Sequence, residues 1–329
     1  SAKTISKDWR CAMWNRSVGL MLLAALLVSA SLCNVQAGAQ EPVKIRFGVL
    51  PVLQALPLFV AKEKGLFENS GVTAELVPFN TAAEKDIALA SGSIDGCFGD
   101  MVTPTVLRGN GRDVAIAAVN YDTKNDRRMF GVLAKPKSTF KSVKDLAGVP
   151  VAVSSNSVID YVTEALLKAG GVPEDKIESV ETKNIGMRMQ MLLSGQVEAA
   201  TLPEPLVTAA IAKGAVLLAD DSGLAASRTV LYFSVPFMKK HPNEVRAFLK
   251  AVNEANRLIG KQPDSIRPVM VDNVRLPPAL EAVYPVPRFP DLHAPDKESV
   301  TKIIEWLRKR NVIKPGLTYE QVVDAQYIP

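Results

Sequence analysis

Sulfur and imidazole chemistry have almost no material in this chain, which holds three cysteines and two histidines in 329 residues. Cys11 and Cys33 fall near the N-terminus, so beyond them Cys97 is alone and no intrachain disulfide can form there. Cys97 lies in an apolar run with Ile94 and Phe98, the setting of buried packing rather than of a nucleophile. His241 and His293 stand beside or near prolines, and no pair has metal-ligand spacing, so neither a zinc site nor any cofactor is expected. Aromatic residues are only 6% of the chain. No Lys/Arg cluster is interleaved with them, which removes nucleic acid as an expected partner. The densest basic run, Arg308-Lys309-Arg310, reads as a solvated helix face.

A membrane span is missing too. The apolar run 18–33 is shorter than the roughly 20 residues that cross a bilayer. It follows a basic start (Lys3, Lys7, Arg10, Arg16) and precedes Ala37-Gly38-Ala39, a small-x-small cleavage pattern before Gln40. Residues 1–39 are therefore expected to be a cleaved export signal, and the rest to be periplasmic. The bulky Leu32 argues against a lipid anchor at Cys33. Without this segment 35 basic and 33 acidic residues remain, a balance of +2, so the basic excess of the whole chain is partly the signal's.

What the chain does have is a duplication. From 43 to 100 it reads strand (Ile45, Phe47, Val49), short helix to Lys64-Gly65, strand 72–79, helix 82–90, then the stop Ser91-Gly92-Ser93-Ile94-Asp95 and an apolar run into Gly99-Asp100. From 149 to 202 the plan repeats: strand 149–153, helix 158–169 ending at Gly170-Gly171, strand 177–180, helix 187–193, the stop Ser194-Gly195-Gln196-Val197-Glu198, and an apolar run. Alternating strands and helices with short connections imply α/β lobes with mostly parallel sheets. About 290 residues is long for one lobe, and the duplication divides them into two. The extended segments 127–134 and 229–235, each ending at a proline, read as paired crossovers. Lobe 1 is expected over 40–132 and again over 229–329, and lobe 2 over 133–228. The returning part carries a helix over 243–259 started by Pro242, an irregular proline-rich wrap over 277–295, and an amphipathic helix over 297–310.

Ligands of open parallel sheets collect at the carboxyl ends of strands. In the first module these are the loop with Gln54, Ala55 and Leu56, the segment Asn80-Thr81-Ala82, and Gly99-Asp100-Met101. Thr81 and Glu84 have capping-box spacing, which starts a helix there. In the second module the matching turn is Ser154-Ser155-Asn156-Ser157, with the same spacing from Ser157 to Asp160. Its hydroxyls and N–H groups, aided by the helix dipole, suit a negatively charged group. Leu202-Pro203-Glu204-Pro205 sets a carboxylate between two prolines, either an acceptor for ligand N–H or O–H groups or a rigid turn. Arg127, Arg128 and Arg228 border the crossovers and could pair with an anion.

Taken together, Leu58-Phe59-Val60-Ala61-Lys62-Glu63-Lys64-Gly65-Leu66-Phe67, Leu89-Ala90-Ser91-Gly92-Ser93-Ile94-Asp95 and Leu202-Pro203-Glu204-Pro205 carry a family signature. With them the chain resembles the solute-binding proteins of bacterial ABC importers, in the group of nitrate, taurine and alkanesulfonate receptors and thiamine-pyrimidine precursor binders. The resemblance implies a two-lobe periplasmic-binding-protein fold of type II with a two-segment hinge, and no catalysis. It implies a monomer that closes on a small polar solute and delivers it to a membrane permease. It places pocket segments at Gln54 to Leu56, Asn80 to Ala82, Gly99 to Met101, Ser154 to Ser157 and Glu204. A free Glu204 would oppose a bare anion and favour a ligand with an amine or heteroaromatic nitrogen edge. Two other readings use the same fold: an enzyme of menaquinone or thiamine-pyrimidine biosynthesis, against which stands the lack of a nucleophile-base spacing, and a sensor domain.

Overall fold

The computed structural model describes residues 43–123, 128–224 and 227–329; the expected export signal and Arg127 lie outside them. Ten strands build two five-stranded sheets: β1 (Lys44–Val49), β2 (Thr73–Pro78), β3 (Gly96–Asp100), β4 (Val114–Asp122), β5 (Phe130–Ala134), β6 (Val151–Val153), β7 (Ser179–Glu181), β8 (Ala199–Pro203), β9 (Val216–Asp220) and β10 (Arg228–Ser234). The first sheet runs β2-β1-β3-β10-β4 and the second β7-β6-β8-β5-β9. These are one order written twice, with β1, β2, β3, β10 and β4 matching β6, β7, β8, β5 and β9. The duplicated plan of the sequence is thus a duplicated topology, and the fold is a two-lobe mixed α/β architecture.

One position in each sheet departs from the sequence reading. Phe130–Ala134 and Arg228–Ser234 were read as crossovers, yet both are interior strands, each antiparallel to its two neighbours. Their side chains are almost wholly buried. An unbroken apolar run fits an interior strand better than a water-exposed connection. The chain passes between sheets just before each of them, between Asp122 and Phe130 and between Asp220 and Arg228. All of β5 therefore lies in the second sheet.

Local chemistry explains the helix boundaries. Thr81 accepts from Glu84 N at 3.2 Å at the start of Ala82–Ala90, and Glu84 Oε2 accepts from Asn80 N at 3.3 Å. Ser157 caps Val158–Ala169 by accepting from Ile159 N at 3.2 Å, and Asp160 Oδ2 accepts from Asn156 N at 2.9 Å. In both pairs the acidic residue reaches one position further back than a strict capping box. Helix Ile185–Ser194 stops at Gly195, whose φ of 76° is open to glycine at little cost. Gly96 answers a different need: a Cβ there would lie 2.4 Å from the Phe233 ring, so the strand can pass beneath that ring only without a side chain.

The C-terminal helices return to the first sheet. Helix Pro242–Lys261 buries Phe248, which stacks on Phe67 at 4.9 Å and lies 4.6 Å from Phe47 of β1. Helix Lys297–Lys309 buries Val300, Ile303 and Leu307 in a cluster with Ile116 of β4 and Val230 of β10. Between these helices the proline-rich stretch is irregular apart from a single turn at Pro278–Leu280, and it is pinned where Val119 N donates to His293 O at 2.7 Å.

Candidate functional site

Strand direction decides which groups can meet. In the first sheet one end collects the carboxyl ends of β1, β2, β3 and β4 and the start of β10; in the second it collects those of β6, β7, β8 and β9 and the start of β5. A cleft of about 400 Å³ opens where these ends come together. Leu53, Tyr121, Met129, Phe289, Pro285 and Pro287 give it apolar walls, and Arg128, Glu204, Thr208, Asp220, Ser222 and Tyr284 give it polar ones. Its volume suits a small organic molecule.

Glu204 is the group of this cleft anticipated as a ligand contact, and its surroundings change the reading. It is 6% exposed, and Glu204 N donates to Met129 O at 2.8 Å. Arg128 Nε donates to its Oε1 at 2.5 Å, Thr208 Oγ1 to the same oxygen at 3.0 Å, and Thr208 N to Oε2 at 3.2 Å. Tyr284 stands on the same cleft wall, where burial, followed by the nearby Glu204 charge, pushes its hydroxyl far up. A carboxylate with this many internal donors and a guanidinium partner neither repels an anion as a free charge would nor waits for a ligand N–H. It fixes Arg128 instead. Nη2 of that arginine donates to Thr208 Oγ1 at 3.2 Å, and among the described residues Nη1 has no hydrogen-bond partner. The held arginine thus presents a guanidinium nitrogen on the cleft wall, a group whose chemistry suits an anion.

The second module's turn is organised from behind. Arg188, in helix Ile185–Ser194, is 0% exposed. It donates from Nε to Thr182 O at 3.1 Å, from Nη1 to Thr201 O at 3.0 Å and from Nη2 to Ser154 Oγ at 2.5 Å. No carboxylate pairs with it among the described residues, and burial pulls the guanidinium down to about 10, while Glu181 pulls the other way. It remains charged at neutral pH, a buried cation directly behind Ser154. The rest of the turn is internally bonded: Ser155 N donates to Glu181 Oε2 at 2.8 Å, and Ser157 Oγ to Ser154 O at 2.6 Å. Asn156 takes a left-handed φ of 57°, a region asparagine tolerates better than most residues.

The other anticipated residues stand at the same sheet ends but do not line the cleft. Ala55 and Leu56 are fully buried in the core, and Met101 is nearly so. Gln54 donates from Nε2 to Met129 Sδ at 2.7 Å; its Oε1 is buried without a partner among the described residues. Asn80 Oδ1 accepts from Arg275 Nη2 at 3.1 Å, and Thr81 and Ala82 are exposed at a helix start. Gly99 backs onto the Tyr232 ring. Asp100 accepts from Thr103 N at 2.9 Å, and loss of water raises its carboxyl. Arg228 is committed elsewhere, to Asp122 at 3.3 Å, to Asp296 and to Ser299 Oγ at 3.1 Å.

Sequence reasoning missed Thr208, Asp220, Ser222 and the wall from the proline-rich stretch. Asp220 and Ser222 come from the end of β9 next to β5, and Asp220 Oδ1 caps the following turn by accepting from Ser222 N at 3.1 Å. Their signal was an acidic pair, Asp220-Asp221, closing an apolar strand at a crossover. Among the described residues no group of three or more His, Cys, Asp or Glu could hold a metal.

Known proteins share this architecture. The chain is 27% identical over 246 residues to a putative aliphatic sulfonates-binding protein of Bacillus subtilis, covering 72% of each. It is 27% identical over 257 residues to the taurine-binding periplasmic protein of Escherichia coli, covering 77% of this chain and 75% of that one. The crystal structure of the periplasmic aliphatic sulphonate binding protein SsuA from Escherichia coli superposes with a TM-score of 0.75 at 19% identity, over 86% of this chain and 92% of that one. The family model described as NMT1/THI5 like matches residues 53–266. That match spans more than half of the sequence, and the chain belongs to the NMT1/THI5-like family.

Proposed function

We propose that this protein is the extracytoplasmic solute-binding component of an ABC importer, capturing a small organic anion between two lobes and handing it to a permease. The observation that carries this reading is the cleft where the two sheet ends meet, with Arg128 held in its wall by Glu204. In this reading the anionic head meets Arg128, with the positive field of Arg188 behind Ser154 at the same sheet end. The apolar part lies against Leu53, Phe289 and the prolines. Asp220, one strand away from Arg128, takes the acceptor role once assigned to Glu204 and would receive an amine or hydroxyl of the solute. The names of the relatives support this choice, since two are sulfonate or taurine binders. The division into lobes at the two crossovers, the monomeric state and removal of 1–39 as an export signal belong to the same proposal.

Isothermal titration with ethanesulfonate, taurine, bicarbonate and the neutral isostere ethyl methyl sulfone tests it. The expected outcome is one site per chain that takes an organic anion and ignores the sulfone, with no turnover. Equal binding of the sulfone, or binding of none of the four together with a neutral molecule released from the purified protein, would overturn the anion reading.

A further inference from the structure

The basic run 308–310 is exposed, as its sequence suggests, and Arg310 in addition pairs with two carboxylates of helix Val158–Ala169. The helix it caps, Lys297–Lys309, is fixed to the first sheet by Val300, Ile303 and Leu307 and by its N-cap Asp296, which pairs with Arg228. Helix Val158–Ala169 packs on the second sheet, against β5, β6 and β8. Arg310 Nη1 lies 3.0 Å from Asp160 Oδ2, and Nη2 lies 2.8 Å from Glu164 Oε2. Trp306 Nε1 donates to the same Glu164 oxygen at 2.7 Å, the Tyr161 ring meets the Trp306 ring edge-on at 5.3 Å, and the guanidinium lies 4.4 Å from the Trp306 ring centre. One arginine thus binds two carboxylates one helical turn apart and covers an indole.

Asp160 makes this more than a surface contact. The oxygen that receives Arg310 also accepts the N–H of Asn156, the left-handed residue of the turn Ser154 to Ser157. We infer that Arg310 is a positioning residue: it closes the first lobe onto helix Val158–Ala169 and, through Asp160, fixes the turn for its solute. A bridge that exists only when the lobes are together favours the closed form by its differential contact alone. It should therefore slow solute release more than it speeds capture. The inference rests on the solute-binding reading for its purpose, but the bridge can be tested without any solute.

The test uses the full chain with Arg310→Ala and Arg310→Lys, measuring amide exchange by mass spectrometry and the radius of gyration by X-ray scattering, both free of solute. The expected result for Arg310→Ala is exchange about tenfold faster over 155–161 and a larger radius, with β6 and β8 unchanged. Lysine, which keeps the charge but not the fork, restores part of each. Faster exchange throughout, or no change in either readout, overturns the inference. Should Arg310→Ala not fold, the charge swap Arg310→Glu with Glu164→Arg takes its place: loss in each single variant and recovery in the pair supports the bridge, and no recovery rejects it. Ethanesulfonate dissociation then tests the purpose, with a faster off-rate at similar on-rate expected and an unchanged off-rate counting against it. Absence of ethanesulfonate binding to the unaltered protein would count against the solute reading, while exchange and scattering still decide the bridge.

Discussion

The pairing of Arg128 with Glu204 sets the character of the cleft, and each partner has a separate consequence. Removing the guanidinium takes away the cation and leaves Glu204 buried without its counter-charge. Truncating one member of such a pair costs about 2–5 kcal/mol in binding. Arg128→Met should therefore weaken ethanesulfonate binding about 100-fold or more, measured by titration calorimetry. Glu204→Gln keeps the shape and removes the negative charge, so binding of the same sulfonate should hold or tighten. A loss of affinity in Glu204→Gln confined to amine-bearing solutes would instead restore Glu204 as a ligand acceptor. Arg188 makes a further residue-scale case. Arg188→Met strips donors from Thr182 O and Thr201 O, each a buried acceptor worth about 1–3 kcal/mol when left unpaired, and a drop in urea midpoint should report it. These roles were only partly legible in sequence. Glu204 stood out between two prolines and Thr208 lies one helical turn on, but its charged partner Arg128 comes from 76 residues upstream. No local pattern announces such a meeting. Arg188 did leave a trace: it lies four residues before the buried Leu192, on the inward face of its helix.

At the scale of elements, hydrophobic period and stop signals were enough to find the repeated strand-helix units, because each is a local consequence of side-chain spacing. The two swapped strands were not legible. An apolar segment between modules has the same appearance whether it crosses solvent or slots into the sheet of the other module, and only the partner strands decide. The C-terminal helices were read as returning to the first lobe from chain order alone, and the structure supplies the physical anchor in Phe248. This ring is fully buried against Phe47, Phe67 and Phe233. Phe248→Ala would leave a cavity among three aromatic rings, at a cost of about 3–5 kcal/mol. The expected outcome is a lower urea midpoint with an unchanged slope, and the slope matters. A smaller slope would mean that helix Pro242–Lys261 detaches separately and that the first lobe does not unfold as one unit.

For the whole molecule, the two connections between sheets are tied together by Asp221. Its Oδ1 accepts from Met129 N at 2.7 Å and Phe130 N at 3.0 Å on one connection, and its Oδ2 accepts from the Ser227 hydroxyl on the other. Thr123 Oγ1 adds a bond to Leu224 O at 3.2 Å. Asp221 is 0% exposed, and burial pushes its carboxyl from an ordinary 3.8 to about 6 against the pull of those donors. A carboxyl raised in the folded state binds its proton more tightly there than in the unfolded chain. Its contribution to stability is fully present below pH 3.8 and is lost as pH rises through about 6. At about 1.4 kcal/mol per pH unit, the change amounts to at most about 3 kcal/mol. Asp221→Asn removes this titration and leaves the other raised carboxyls, Asp100 and Asp160, acting alike in both proteins. Urea unfolding of the two proteins at pH 4, 5, 6 and 7 should show the unaltered chain losing ground to Asp221→Asn over that range. A difference that stays constant with pH would mean that Asp221 does not titrate over this range and that this tie between the connections contributes equally to stability at each pH.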